Sequence, residues 1–143
     1  GPERPTAEKL CREMATCDHI SFLGKQEAVE EVLAVADLFL MPSEHESFGL
    51  AALEAMACEV PCITTNTGGL PEVNVHGETG FLSDVGDVDD MAANAIRLLE
   101  DDQLLARFRK GAFDRAWSYR IDQVLPEYEA YYREVLEGEQ VGV

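Results

Sequence analysis

The chain has 143 residues, 28 acidic and 11 basic, for a formal charge of −17. That length suits one domain, in which folding removes roughly two-thirds of the unfolded surface from water. The charge repels polyanions and excludes nucleic acid as a partner, so an anionic ligand would need positive potential supplied locally.

The longest apolar stretches, Leu38 to Met41 and Leu50 to Cys58, are too short to span a bilayer, and no charged segment followed by an apolar one opens the chain. With no transmembrane segment and no visible export signal, the chain reads as cytoplasmic. Cys11, Cys17, Cys58 and Cys62 match neither a Cys-x-x-Cys metal knuckle nor a redox pair. They are expected to be reduced, buried, small apolar residues, although an even count also permits disulfides in an exported protein.

The opening from Glu3 to Thr16 is helix-rich. Doubly wound sheets normally open with a strand and its phosphate-facing turn, so upstream sequence is expected to be missing. His19 to Leu23 reads as a short strand, and beyond Gly24 the apolar residues Val29, Val32, Leu33 and Ala36 recur at helical spacing. Asp37 to Met41 is a continuous apolar run of the kind found in strands covered on both faces, closed by Pro42 before Leu50 to Cys58 resumes as helix. Pro61 to Thr65 is a third strand, Thr67 to Pro71 a sharp loop and Gly80 to Ser83 a fourth strand. From there the chain reads as helical: Asp87 caps a helix carrying Met91 to Leu99, and Leu104, Leu105 and Phe108 lie on the next. Val124, Tyr128, Tyr131 and Val135 stripe a last helix, and Gly138 to Val143 looks disordered. This alternation predicts an α/β, Rossmann-like parallel sheet with helices on both faces.

The segment Ser43-Glu44-His45-Glu46-Ser47-Phe48-Gly49-Leu50 lies where a buried strand gives way to a helix, the ligand end of an open parallel sheet. Ser47 and Gly49 suit a helix start where free amides and the dipole's positive end can receive a diphosphate without a cationic side chain. Glu54 is the only charged residue between Ser47 and Cys58. On a continuous helix it would stand some 80° around and roughly 12 Å along from Glu46. Two such carboxylates suit a nucleotide sugar, one taking the ribose and the other the hexose. The competing reading is that Glu46 caps the helix and Glu54 pairs with a basic residue.

Glu46 to Glu54 matches the Glu-x7-Glu signature of the family-four glycosyltransferases, which have the GT-B fold, and the segments Glu-Ser-Phe-Gly-Leu and Glu-Ala-Met-Ala-Cys around it resemble theirs. Phe22-Leu23-Gly24, Gly68-Gly69-Leu70-Pro71-Glu72 and His76-Gly77-Glu78-Thr79-Gly80-Phe81-Leu82 follow in the family's order. Gly1-Pro2-Glu3 is similar to the end of its Gly-Asp-Gly-Pro-Glu turn. The resemblance implies a retaining, metal-independent enzyme without a cofactor. Residues 1–120 would be a truncated donor domain lacking its first strand, and 121–143 a helix packed on a missing N-terminal domain that binds a small-molecule acceptor. Amides near Ser47, Phe48, Gly49 and Leu50 would hold the diphosphate of a UDP-sugar, with Glu54 on the ribose, Glu46 at the reaction centre and the Gly24-Lys25 turn near the base. Lys25-Gln26 and the two glutamate segments are most similar to the branch that transfers N-acetylglucosamine from UDP-N-acetylglucosamine to L-malate in bacillithiol formation. Glu59 stands where the family usually has Gly.

This implies further that the leaving-group cations lie upstream, that the chain alone does not turn over substrate, and that Tyr128, Tyr131 and Tyr132 form an exposed patch prone to self-association. Asp87-Val88-Asp89 spells a metal-diphosphate motif, but at a helix start acidic residues suit the dipole. His19, His45 and His76 show no ligand spacing, so no metal is assigned. A sugar-nucleotide epimerase and a non-catalytic α/β interaction module remain as alternatives.

Overall fold

A computed structural model describes residues 2–138. Helix α1 (Arg4–Glu13) and a 3-10 turn (Cys17–His19) open the chain, followed by α2 (Val29–Leu33), β1 (Phe39–Met41), α3 (Leu50–Ala57) and β2 (Cys62–Thr65). Then come α4 (Leu70–Val73), β3 (Gly80–Ser83), α5 (Val88–Leu99), α6 (Asp102–Ser118) and α7 (Ile121–Gly138). The three strands form a parallel sheet in the order β1-β2-β3, with Phe39 opposite Cys62 and Ile63 opposite Phe81.

Side chains on a strand alternate between faces, and β2, buried at every position, feeds two cores. Cys62 joins Ala52, Ala55 and Met56 of α3, Leu70 and Val73 of α4, and Ala112 of α6 on one face. Ile63 joins Phe81, Met91, Leu98 and Phe108 on the other. Helices on both faces of a parallel sheet give the Rossmann-like architecture expected of the alternating sequence. Small residues on α3 and α6 bring those helices close, and α6 spans both cores, with Phe108 in one and Ala112 in the other. Burying a side chain such as Phe108 stabilises the fold by about 2–3 kcal/mol.

Two expectations fail. His19 to Leu23 is not a strand: His19 closes the 3-10 turn, and the residues after it make no ladder bond to β1 among the described residues. Extended backbone becomes a strand only through a neighbour's hydrogen bonds, and β1 is left at the sheet edge with Leu40 half-exposed. Cys11 and Cys17 are not free thiols but a disulfide, because the left-handed residue Ala15 folds the chain back and brings their Cα atoms to 5.0 Å. The argument from reduced cysteines to a cytoplasmic chain therefore lapses for this pair. Cys62 keeps its expected packing role, since burial pushes its thiol up to about 12. Cys58 is half-buried and free.

Helix α3 ends in a Schellman motif: the Glu59 N–H donates to the Met56 carbonyl and the Val60 N–H to that of Ala55, each at 3.0 Å. Glu59 sits at φ 62°, the left-handed region that favours Gly. Replacing Glu59 with Gly removes about 1–2 kcal/mol of strain and adds a smaller cost in unfolded-state entropy. The expected outcome is a gain of about 0.5–1 kcal/mol, read as a rise in melting temperature of roughly 2 °C. No gain would mean that the left-handed turn costs Glu59 nothing.

Asp87 caps α5, its carboxylate accepting from the Asp90 N–H at 2.9 Å, as the sequence led one to expect. Tyr128, Tyr131, Tyr132 and Leu136 of α7 are exposed. The disordered tail expected from Gly138 lies beyond the described residues after Gly138 itself, and Gly1 of the opening turn also lies outside them. No described helix is long and apolar enough to cross a membrane.

Candidate functional site

In a parallel sheet the loops leaving the carboxyl ends of the strands share one end. The loop after β1 runs from Pro42 to Gly49 and enters α3; that after β2 runs from Asn66 to Gly69 and enters α4. They are tied together: the Thr65 hydroxyl donates to the Ser43 carbonyl at 2.6 Å, and the Thr67 hydroxyl to that of Glu44 at 3.3 Å.

The first loop is shaped by close backbone contact. A methyl group on Gly68, at φ 55°, would lie 1.6 Å from the Glu46 carbonyl oxygen, and one on Gly69 would lie 2.7 Å from that of Ser47. One on Gly49, at φ 101°, would meet the Leu70 side chain at 2.7 Å. The Gly68-Gly69 pair, read in the sequence as a chain reversal, is also the surface against which Glu46 to Phe48 are laid. Gly49 is the left-handed N-cap of α3.

So braced, the loop aims three consecutive amides at one point. The N–H groups of Ser47, Phe48 and Gly49 all donate to the same Glu46 carboxylate oxygen, at 3.0, 3.3 and 3.2 Å. This is an anion nest at a helix start, and in the free chain its occupant is Glu46. The next amides, of Leu50, Ala51 and Ala52, meet no acceptor among the described residues. Glu46 lies before the helix, so the separation computed for two glutamates on one continuous helix does not apply; only Glu54 is helical.

Glu54 is exposed and makes no ion pair among the described residues. It faces a cavity of about 420 Å³ lined by Glu27, Glu30, Leu33, Ala57 and Cys58. Gly24 and Lys25 line a second concavity with Arg4 and Phe22, separated in sequence from Glu27 by Gln26 alone. Side chains of opposite roles are thus sorted. Carboxylates face the cavity beside α3, two cations flank the Gly24 turn, and backbone amides carry the positive potential at the start of α3. His45 precedes Glu46 on the loop itself, and His76 accepts the Leu82 N–H at 3.1 Å.

Two residues that sequence reasoning passed over stand behind the loop. The Tyr119 ring meets Phe48 edge-on at 5.8 Å, and Arg115, one turn earlier on α6, donates to the Tyr119 hydroxyl at 3.0 Å. The only hint in the sequence is an Arg and a Tyr four residues apart.

The family model for glycosyl transferases group 1 matches residues 1–115. N-acetyl-alpha-D-glucosaminyl L-malate synthase of Bacillus anthracis is 45% identical over 99% of this chain, which spans 38% of that relative's length. Among solved structures, sucrose-phosphate synthase from Thermosynechococcus elongatus superposes with a TM-score of 0.85 at 29% identity, over 96% of this chain and 35% of that one. Anabaena HepE in complex with UDP does so with a TM-score of 0.80 at 28% identity, over 96% and 38%. With the family's model covering most of its length and the Glu-x7-Glu segment at the mouth of its sheet, the chain belongs to the group 1 glycosyl transferases.

Proposed function

We propose that this chain is the donor-binding domain of a retaining glycosyltransferase that takes UDP-N-acetylglucosamine and passes the sugar to L-malate. The observation that carries the reading is the convergence of three successive amides on one anionic oxygen at the start of α3, about one helical turn before Glu54, which faces a cavity and has no ion partner among the described residues. The similarity to the L-malate synthase supports the choice of sugar and acceptor, and the UDP complex of a structural neighbour supports the nucleotide.

In this reading the diphosphate settles on the amides beginning at Leu50 and takes over those of Ser47, Phe48 and Gly49. Phosphoryl oxygens offer the same acceptor chemistry as the Glu46 carboxylate, so that carboxylate is released toward the hexose hydroxyls. Glu54 accepts hydrogen bonds from the ribose diol, and the Gly24-Lys25 turn lies against the base. The developing charge on the leaving UDP is met by fixed N–H dipoles in the manner of an oxyanion hole, with no metal or cofactor required. The acceptor belongs to the part of the enzyme beyond this chain.

Titration calorimetry with UDP-N-acetylglucosamine and with UDP tests this. Glu54→Ala removes charge-assisted hydrogen bonds of about 1.5–3 kcal/mol, an expected loss of roughly 10- to 100-fold in affinity for both ligands. Binding that ignores Glu54→Ala would refute the ribose assignment. Absence of any binding would refute the donor-domain reading.

A further inference from the structure

The amides of the 47–49 loop are useful only while they point together, and the contacts that hold them so come partly from outside the loop. Phe48 is half-buried, and its ring packs edge-on against Tyr119 at 75° and 5.8 Å. Such a pair contributes about 0.5–1.5 kcal/mol beyond its buried area. The Tyr119 hydroxyl donates to the Glu72 carbonyl at 2.9 Å. Arg115 donates to the same Glu72 carbonyl, to the Val73 carbonyl at 3.4 Å and to the Tyr119 hydroxyl at 3.0 Å, and its guanidinium lies 5.0 Å from the Tyr119 ring centre.

Glu72 and Val73 end α4, a helix of four residues, too short to hold itself by its own hydrogen bonds. A cation at its C-terminal carbonyls compensates for that. The same helix begins at Gly69, where an added methyl would fall within 2.8 Å of the Phe48 Cα. Arg115 and Tyr119 therefore grip both sides of the loop, its side chain through the Phe48 ring and its backbone through α4.

We infer that Tyr119 and Arg115 are positioning residues for donor binding, acting through Phe48 and α4 to hold the Ser47, Phe48 and Gly49 amides on the diphosphate. The inference rests on the reading of this loop as the diphosphate site. Neither residue touches the donor in it. Their effect falls on the phosphate end of the ligand and not on the nucleoside end, where Glu54 acts.

The test compares affinities for UDP and for uridine. Tyr119→Ala is expected to weaken UDP on the order of 10-fold and to leave uridine unchanged, whereas Tyr119→Phe, which keeps the ring on Phe48, stays within about 2-fold. Arg115→Met combined with Tyr119→Phe removes the hold on α4 while preserving bulk, and is expected to weaken UDP selectively by about 3- to 10-fold. This second variant decides the matter should Tyr119→Ala fail to fold. Equal losses for UDP and uridine, or no loss of UDP in folded Tyr119→Ala or in the Arg115→Met, Tyr119→Phe double variant, would overturn the inference. If unmodified chain binds UDP no better than uridine, the diphosphate reading fails and the inference with it. Uridine binding insensitive to Glu54→Ala would instead count against the ribose assignment alone, leaving the phosphate result to be judged by the UDP-to-uridine ratio.

Discussion

Asn74→Leu is expected to cost on the order of 4 kcal/mol of folding free energy, a large loss for a single substitution. Asn74 is fully buried at the end of α4. Its amide nitrogen lies 3.1 Å from three acceptors, the Cys62 carbonyl, the Phe81 carbonyl and the Thr64 hydroxyl, which share two hydrogens. Its oxygen accepts from the Thr79 hydroxyl at 2.8 Å. The side chain thus stitches β2 to β3 in the middle of the molecule. It can reach there because Gly80 has no side chain: a methyl group on Gly80 would lie 1.8 Å from the Cys62 carbonyl oxygen and 2.6 Å from the Asn74 amide oxygen. Leucine preserves the volume but removes all four of these hydrogen bonds from a fully buried site, where each polar group left without a partner costs about 1–3 kcal/mol. Urea denaturation measures the loss as a lowered midpoint. Asn74→Asp should be no better, since it sets an acceptor against two carbonyls. A loss below about 1 kcal/mol would mean that neighbouring groups find other partners.

Gly68→Ala is expected to destabilise by about 3 kcal/mol and to weaken UDP at least 10-fold. A left-handed backbone costs a residue with a Cβ about 1–2 kcal/mol, and here the added carbon also meets the Glu46 carbonyl oxygen at 1.6 Å. Backbone cannot yield as a flexible side chain does, so the Glu46 to Phe48 segment must move, and with it the amides that form the nest. Gly77→Ala separates the two causes. Gly77 is equally left-handed, at φ 81°, but nothing lies within 4 Å of where its Cβ would be. It should show the conformational cost alone, about 1–2 kcal/mol, and keep its affinity for UDP. Thermal melting and titration of both variants check this. Similar behaviour of the two would mean that the close approach of Gly68 to Glu46 has no part in shaping the loop.

What could be read from the sequence is what local pattern encodes. The apolar run Cys62 to Thr65, the bounding Gly80 and the cap Asp87 placed β2, β3 and α5 to within a few residues, because each reflects burial or backbone geometry set over a short span. The Glu46 to Glu54 segment was legible for the same reason: a strand end, a glycine and a helix start lie within a dozen residues, and the motif's chemistry goes with them. Where the pattern was read without its neighbours it misled. Residues 19–23 have strand composition, but a strand exists only if another offers its edge. Cys11 and Cys17 are six apart, and only the turn at Ala15 brings them face to face.

The nest's true arrangement depended on contacts between distant parts of the chain. Glu46 could be read as a cap of α3, but no spacing rule could announce that it would turn back onto the three amides directly after it. Nor could one show that Gly68 and Gly69, more than 20 residues on, would lie under that turn, or that Tyr119, more than 70 residues away from Phe48, would pack against its ring. Sequence by itself determined the family, the α/β alternation and the two glutamates, since periodicity and motif identity are properties of short segments. Tertiary structure alone decided which groups face each other across the site, because backbone approach and hydrogen-bond pairing are set by how separate segments pack.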